Sequence, residues 1–233
     1  MILRDATTPE LMDLYDRLLA HFGPRGWWPA DSPVEMMVGA LLTQSVAWRN
    51  VKTCLARLKE AELLDWRALH EAPDERIEEL IRPSRFFKAK TRKLKALAAY
   101  LIERHGGDLS AMFAQPMEML RKELLAVHGL GPETVDCILL YAGDHPSFVV
   151  DAYTRRIFSR LGYFDERIGY EPMRAYFSAR LPADVPLYNE YHALIDGLGH
   201  HFCHPKDPGC DSCPLQARCS FSEARPTAGS PAP

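Results

Sequence analysis

Cys203, Cys210, Cys213 and Cys219 are spaced C-x6-C-x2-C-x5-C, in a segment that also carries Pro205, Pro208, Gly209 and Pro214. This spacing constrains the fold more than any other feature, because four thiolates in one turn-rich loop are what a tetrahedral metal or an iron–sulfur cube requires. Disulfides are the competing reading, and four cysteines can pair in three ways. The N-terminus reads MILRDATTPE, with acids where a secretory leader has its apolar core. An intracellular, reducing compartment is therefore expected, and metal ligation is favoured over disulfides. Zinc loops usually hold two short knuckles apart, whereas only one short knuckle is present here; ligand chemistry alone leaves zinc and iron–sulfur both open. His200, His201 and His204 flank Cys203, but four cysteines already complete a ligand set and make them surplus. Cys54 and Cys137, among apolar neighbours, are expected to be buried thiols.

Upstream, the segment Val127-His-Gly-Leu-Gly-Pro-Glu-Thr134 joins two apolar helical runs, 118–127 and the run ending at Tyr141. A tight Gly-x-Gly turn between helices leaves backbone N–H groups able to hold a phosphate oxygen. Glycine there permits positive φ and close approach of a nucleic-acid backbone. The same pattern also serves ordinary interhelical turns. Next, Phe148-Val-Val-Asp151 ends an apolar run in an acid that opens a helix carrying Arg155 and Arg156. On its own, Asp151 reads as a helix N-cap.

The cysteine spacing, following the helical run 191–201, resembles the cluster loop of endonuclease III-type DNA glycosylases. The Gly129-x-Gly131 turn resembles the helix-hairpin-helix of the same superfamily. This resemblance implies a 4Fe–4S cluster on the four cysteines and DNA contacts through Gly129, Gly131 and Thr134. It makes Asp151 the catalytic carboxylate, a role compatible with capping. Bifunctional members carry a lysine two residues after the second hairpin glycine; here that position is Glu133. A carboxylate cannot form the imine that permits β-elimination, so base removal by water without strand cleavage is expected. Glu133 is a candidate for orienting that water, or simply an acid favoured at a helix start. Breaking the N-glycosidic bond develops positive charge on the sugar, which an anionic Asp151 would stabilise. The nucleotide must first be extruded from the duplex.

Gly26-Trp27-Trp28-Pro29 and Leu41-Leu-Thr-Gln44-Ser-Val-Ala-Trp48 hold three of the four tryptophans. Indole faces attract cationic bases; these residues read equally as core. With Glu133 they resemble the 3-methyladenine DNA glycosylase III subfamily, in which matching aromatics form an alkylpurine pocket. Members of that subfamily can lack the four-cysteine loop. By the same resemblance Gln44 fills the gap left by the extruded base, and Phe86 of Arg85-Phe86-Phe87-Lys88 wedges into the opposite strand. Arg85 stands where the family often has glycine. Lys88, Lys90, Arg92, Lys93 and Lys95 form a basic run suited to phosphate. Arg155 and Lys206 are further DNA-contact candidates, and the cluster is expected to position Lys206 and Arg218.

Helical periodicity covers residues 9–21, 33–43, 49–61, 89–105, 116–127, 133–141, 153–161, 172–181 and 188–201. Residues 148–150 are the one strand-like run. An all-α, two-lobed fold is expected: a central helical barrel over 30–145, a discontinuous cluster domain of 1–29 with 146–221, and a disordered tail, 222–233. The resemblance places an active cleft between the lobes, with Glu133 and Asp151 at its mouth. The formal charge is −3, which predicts modest, salt-sensitive DNA affinity. No apolar run is long enough to span a bilayer. The expected protein is a monomeric, cytoplasmic, nucleoid-associated glycosylase acting on double-stranded DNA with an alkylated purine. Rival readings are a glycosylase for oxidised pyrimidines or mispaired bases, and a non-catalytic lesion- or abasic-site-binding protein.

Overall fold

The computed structural model describes residues 1–224. Among them, regular structure is helical apart from one isolated bridge between Ile2 and Phe164. In chain order the first helices are α1 (Thr8–Phe22), α2 (Pro33–Leu42), α3 (Trp48–Glu60), α4 (Trp66–Glu71) and α5 (Asp74–Leu80). Then follow α6 (Phe87–His105), α7 (Leu109–Phe113), α8 (Met117–Ala126) and α9 (Pro132–Cys137). The remainder are α10 (Ala152–Arg160), α11 (Tyr170–Ser178), α12 (Val185–His201) and α13 (Ser220–Glu223). The helix α13 reaches into the segment expected as a tail from Ser222; residues 225–233 of that segment lie outside the described residues. The strand-like run 148–150 joins no ladder, and its three side chains are buried. No helix among the described residues is long and apolar enough to cross a membrane.

The chain divides into two compact bodies: Trp28–Ser147, and Met1–Trp27 together with the chain from Phe148 onward. In the first body α2 is the central helix, buried from Met36 to Leu42. Ser32 starts it by accepting from Glu35 N, and Pro33 takes a first-turn position where its missing N–H costs nothing. Asp65 and Asp108 cap α4 and α7 in the same way. The 19-residue α6 ends at Gly106, whose left-handed backbone (φ 63°) closes the helix. After α9 the helix widens into a π turn over Ile138–Ala142.

The second body buries Leu11, Leu14 and Leu18 of α1. Phe148 stacks on Phe177 with centroids 4.5 Å apart. Tyr191 donates its hydroxyl to Leu11 O at 2.8 Å, so this fully buried phenol is satisfied and ties α12 to α1. Gly199 lies under Tyr153: a Cβ there would stand 2.2 Å from the ring, so glycine lets α10 and α12 close together.

Candidate active site and cluster loop

The hairpin is built from α8, the turn at 127–131 and α9. Only the first glycine needs its freedom: Gly129 has φ 85°, whereas Gly131 has φ −90° and caps α9. A Cβ at Gly131 would meet nothing within 4 Å, leaving that backbone open to an approaching ligand. The two helices are joined by a buried, bidentate ion pair, Arg121 to Asp136 at 2.8 and 3.0 Å, and Ser147 Oγ donates to the same carboxylate. Glu133 is exposed in the first turn of α9, where the helix dipole favours an acid. Thr134 is buried and accepts a hydrogen bond from Gln44 Nε2 at 2.9 Å. Gln44 Oε1 accepts in turn from Lys93 Nζ.

The basic run on α6 is thus not one solvated face. Lys90 is buried and donates to Leu42 O and Ser84 O, both at 2.7 Å. Burial lowers its pKa to about 8, so it keeps its proton at neutral pH. Lys95 pairs with Asp74 at 3.1 Å; Lys88 and Arg92 are exposed. Lys90 thus ties together two segments: Leu42 precedes the turn of Gln44, expected to fill the DNA gap, and Ser84 precedes Arg85-Phe86, expected to wedge into the opposite strand. Arg85 (φ 56°) and Phe86 (φ 42°) both have left-handed backbones, each costing about 1–3 kcal/mol outside glycine. Phe86 is 67% exposed. A large apolar side chain on a strained, anchored turn is a shape suited to insertion between bases.

Trp28 meets Trp48 edge-on at 5.3 Å and Tyr141 at 5.5 Å. Trp28 and Trp48 are half-buried rather than core, and Trp28 packs on Gly39 of α2. Tyr141 lies in the π turn, whose extra residue shifts the register of that helix face. Trp27, also half-buried, belongs to the N-terminal segment of the other body.

In that second body Asp151 caps α10. Its Oδ1 accepts from Thr154 N and Thr154 Oγ1, both at 2.7 Å. Its Oδ2 lies 3.9 Å from Nε2 of buried His192. Four residues along α12, burial and then the Asp151 carboxylate push Asp196 up, against His192, His200 and Arg25. Two carboxyl groups and a histidine thus share one region. Arg155 follows on α10 with Nε buried and without a hydrogen-bond partner.

Cys203, Cys210, Cys213 and Cys219 line one cavity together with Arg160, Phe202 and Phe221. Cys203, Cys213 and Cys219 are unbridged thiols. Burial pushes Cys213 up to about 11; the backbone N–H of Leu215 opposes this, and the other three cysteines add to it. Arg160 donates to Cys203 Sγ at 3.2 Å and to His204 O and Pro205 O, placing a cation beside the thiols. Among the described residues no group of three or more His, Cys, Asp or Glu is gathered as one metal ion would require. The four cysteines border a shared cavity. Lys206 is exposed on this loop, and Arg218 pairs at the surface with Asp13 at 2.9 Å.

The sequence offers Lys90 and Lys93 only as members of a basic run suited to phosphate, and gives Tyr141, Arg160, His192 and Asp196 no site role. Only His192 and Asp196 carried a local signal, being four residues apart on one helix face.

The model of the HhH-GPD superfamily of base excision DNA repair proteins matches residues 38–183. A protein of Methanocaldococcus jannaschii, provisionally named a DNA repair glycosylase, is 41% identical over 88% of this chain and 94% of its own length. Endonuclease III of Thermotoga maritima is 25% identical over 83% of this chain and 85% of its own. Among solved structures, an endonuclease III in a non-covalent DNA complex superposes with TM-score 0.80 at 22% identity, covering 94% of this chain and 97% of its own. The Helicobacter pylori 3-methyladenine DNA glycosylase bound to 1,N6-ethenoadenine gives 0.71 at 23% identity, covering 82% of this chain and 96% of its own. At these identities the two structures establish the fold.

Proposed function

The chain belongs to the HhH-GPD superfamily of base excision DNA repair proteins, and from that premise we propose a monofunctional glycosylase that removes an alkylated purine by hydrolysis. That it is a DNA glycosylase follows from the family; substrate, catalytic residues and the absence of lyase chemistry are the proposal. The observation that carries the substrate reading is the half-buried set Trp28, Trp48 and Tyr141. Electron-rich rings suit the face of a cationic base such as 3-methyladenine. The solved 3-methyladenine glycosylase of the same fold, holding 1,N6-ethenoadenine, supports a purine occupant. Because a purine alkylated at N3 or N7 is already cationic and leaves with little added protonation, the enzyme must chiefly stabilise the positive sugar.

Asp151 is assigned that role. Thr154 occupies Oδ1, which leaves Oδ2 for the oxocarbenium ion or for the attacking water. Glu133 stands where an imine-forming lysine would be needed, which supports hydrolysis. Gly129 and Gly131 would take the DNA backbone, Gln44 the gap, and Phe86 the opposite strand. The four cysteines fit a 4Fe–4S cluster: their thiols face one cavity and repel one another as they ionise, and iron would supply the compensating positive charge. A cluster bound there would cross-link the loop that carries Lys206.

The test is free-base release from methylated duplex DNA by wild type and Asp151→Asn, with strand integrity scored before alkali. Release without nicking, lost in the variant, supports the proposal. No release by folded, cluster-containing protein removes the alkylpurine assignment, and nicking before alkali overturns the reading of Glu133.

A further inference from the structure

Lys93, Gln44 and Thr134 form a hydrogen-bonded chain across three segments distant in sequence. Lys93 Nζ donates to Gln44 Oε1 at 2.5 Å, and Gln44 Nε2 donates to Thr134 Oγ1 at 2.9 Å. The polarity has one solution. An ammonium has only donors, so the amide oxygen must face Lys93, and the amide NH2 is thereby turned to the Thr134 hydroxyl. The Lys93 stem reaches Gln44 by crossing the hairpin: a Cβ at Gly129 would stand 2.2 Å from Lys93 Cγ and 2.6 Å from Cδ. Gly129 therefore serves two purposes, its own φ of 85° and the passage of a neighbouring side chain. The close atoms run along the Lys93 stem from Cγ to Cε, the last at 2.8 Å, so any side chain at position 129 would displace the stem that carries the ammonium to Gln44.

We propose that Lys93 is a positioning residue for lesion recognition. It clamps Gln44 in one rotamer and one amide orientation against the hairpin, so that the side chain entering the DNA gap is already ordered. This rests on the reading of Gln44 as the gap-filling residue. An amide offers two N–H donors and two carbonyl lone pairs. The clamp uses one of each and leaves one of each to meet the orphaned base on the opposite strand. Ordering a free glutamine on binding costs about 0.5–1.5 kcal/mol, and the clamp removes that cost before DNA arrives. Lys93, otherwise one member of a basic run, thus acts through an amide rather than through phosphate.

Lys93→Met keeps the apolar stem over Gly129 and deletes the donor. The experiment compares wild type, Lys93→Met, Gln44→Ala and the double variant, all with circular dichroism confirming the fold. It reads affinity for a duplex carrying a tetrahydrofuran abasic analogue at several salt concentrations, and 2-aminopurine fluorescence as a report of base extrusion. Lys93→Met is expected to weaken both about two- to tenfold, to leave the salt slope unchanged, and to have no further effect once Gln44 is alanine. Thr134→Val, which removes the other anchor, should reproduce a part of the loss. An undiminished effect of Lys93→Met in the Gln44→Ala background, with the salt slope reduced by about one, would make Lys93 a phosphate ligand and overturn the clamp. A normal Lys93→Met beside a defective Gln44→Ala would also overturn it. A normal Gln44→Ala would instead sink the gap-filling reading, and the clamp with it.

Discussion

Nε2 of His192 lies 3.9 Å from Oδ2 of Asp151, while Thr154 holds Oδ1 of the same carboxylate through two donors at 2.7 Å. One oxygen of Asp151 is thus committed to starting α10, and the other is turned towards a buried imidazole. Capping and chemistry are divided between two atoms of one side chain, so they can be separated by mutation. Asparagine is as good a cap as aspartate but carries no charge to offer a cationic sugar. Asp151→Asn is expected to change unfolding free energy by less than about 1 kcal/mol while lowering base release by about a hundredfold or more. Urea unfolding alongside single-turnover excision checks this; equal losses in both would mean a purely structural Asp151.

Asp196 gives a pH-dependent prediction. Burial first, and the Asp151 carboxylate second, raise its pKa in the fold. A carboxyl raised above its unfolded value binds protons more tightly in the native state, so it costs stability as pH rises through and beyond the unfolded value. Asp196→Asn removes that cost. The melting temperature should rise at pH 7, and the gain should shrink as pH is lowered towards the ordinary aspartate range. Thermal melts across that range decide it, and a gain that grows in acid would contradict the sign.

The cysteine loop predicts composition. Purified protein is expected to contain iron and acid-labile sulfide in equal amounts, and Cys213→Ala should lose both together with thermal stability. Zinc at one equivalent, with no sulfide, would replace the cluster by a mononuclear site.

Arg121 and Asp136 brace the hairpin from within. Asp136 is fully buried, so Arg121→Met would leave its charge without the guanidinium. A loss of about 3–5 kcal/mol is expected, since breaking one side of a buried pair costs far more than replacing both. Arg121→Met combined with Asp136→Leu should recover most of it. Equilibrium unfolding of the single and double variants measures the difference.

Sequence alone determined what depends on neighbours in the chain. The helical class follows from apolar periodicity, and the long helices lie where that periodicity runs. The cysteine set, the Gly129–Gly131 turn and the acid opening α10 are all patterns within a few residues. The short helices α4, α5 and α7, of 6, 7 and 5 residues, passed unseen because fewer than two turns cannot display a period. Tertiary structure decided everything that needs two segments to meet. The basic run 88–95 looked uniform along the chain, but a helix turns each successive residue by about 100°. Lys90 consequently points into the core, Lys93 to the hairpin and Lys95 to Asp74, leaving Lys88 and Arg92 outside. Tyr141 meets Trp28 from a π turn that follows α9, and His192 of α12 lies beside Asp151 at the start of α10, two helices in close approach at Gly199. Spacing in a sequence records which residues share a helix face; it holds no record of which face another helix will cover.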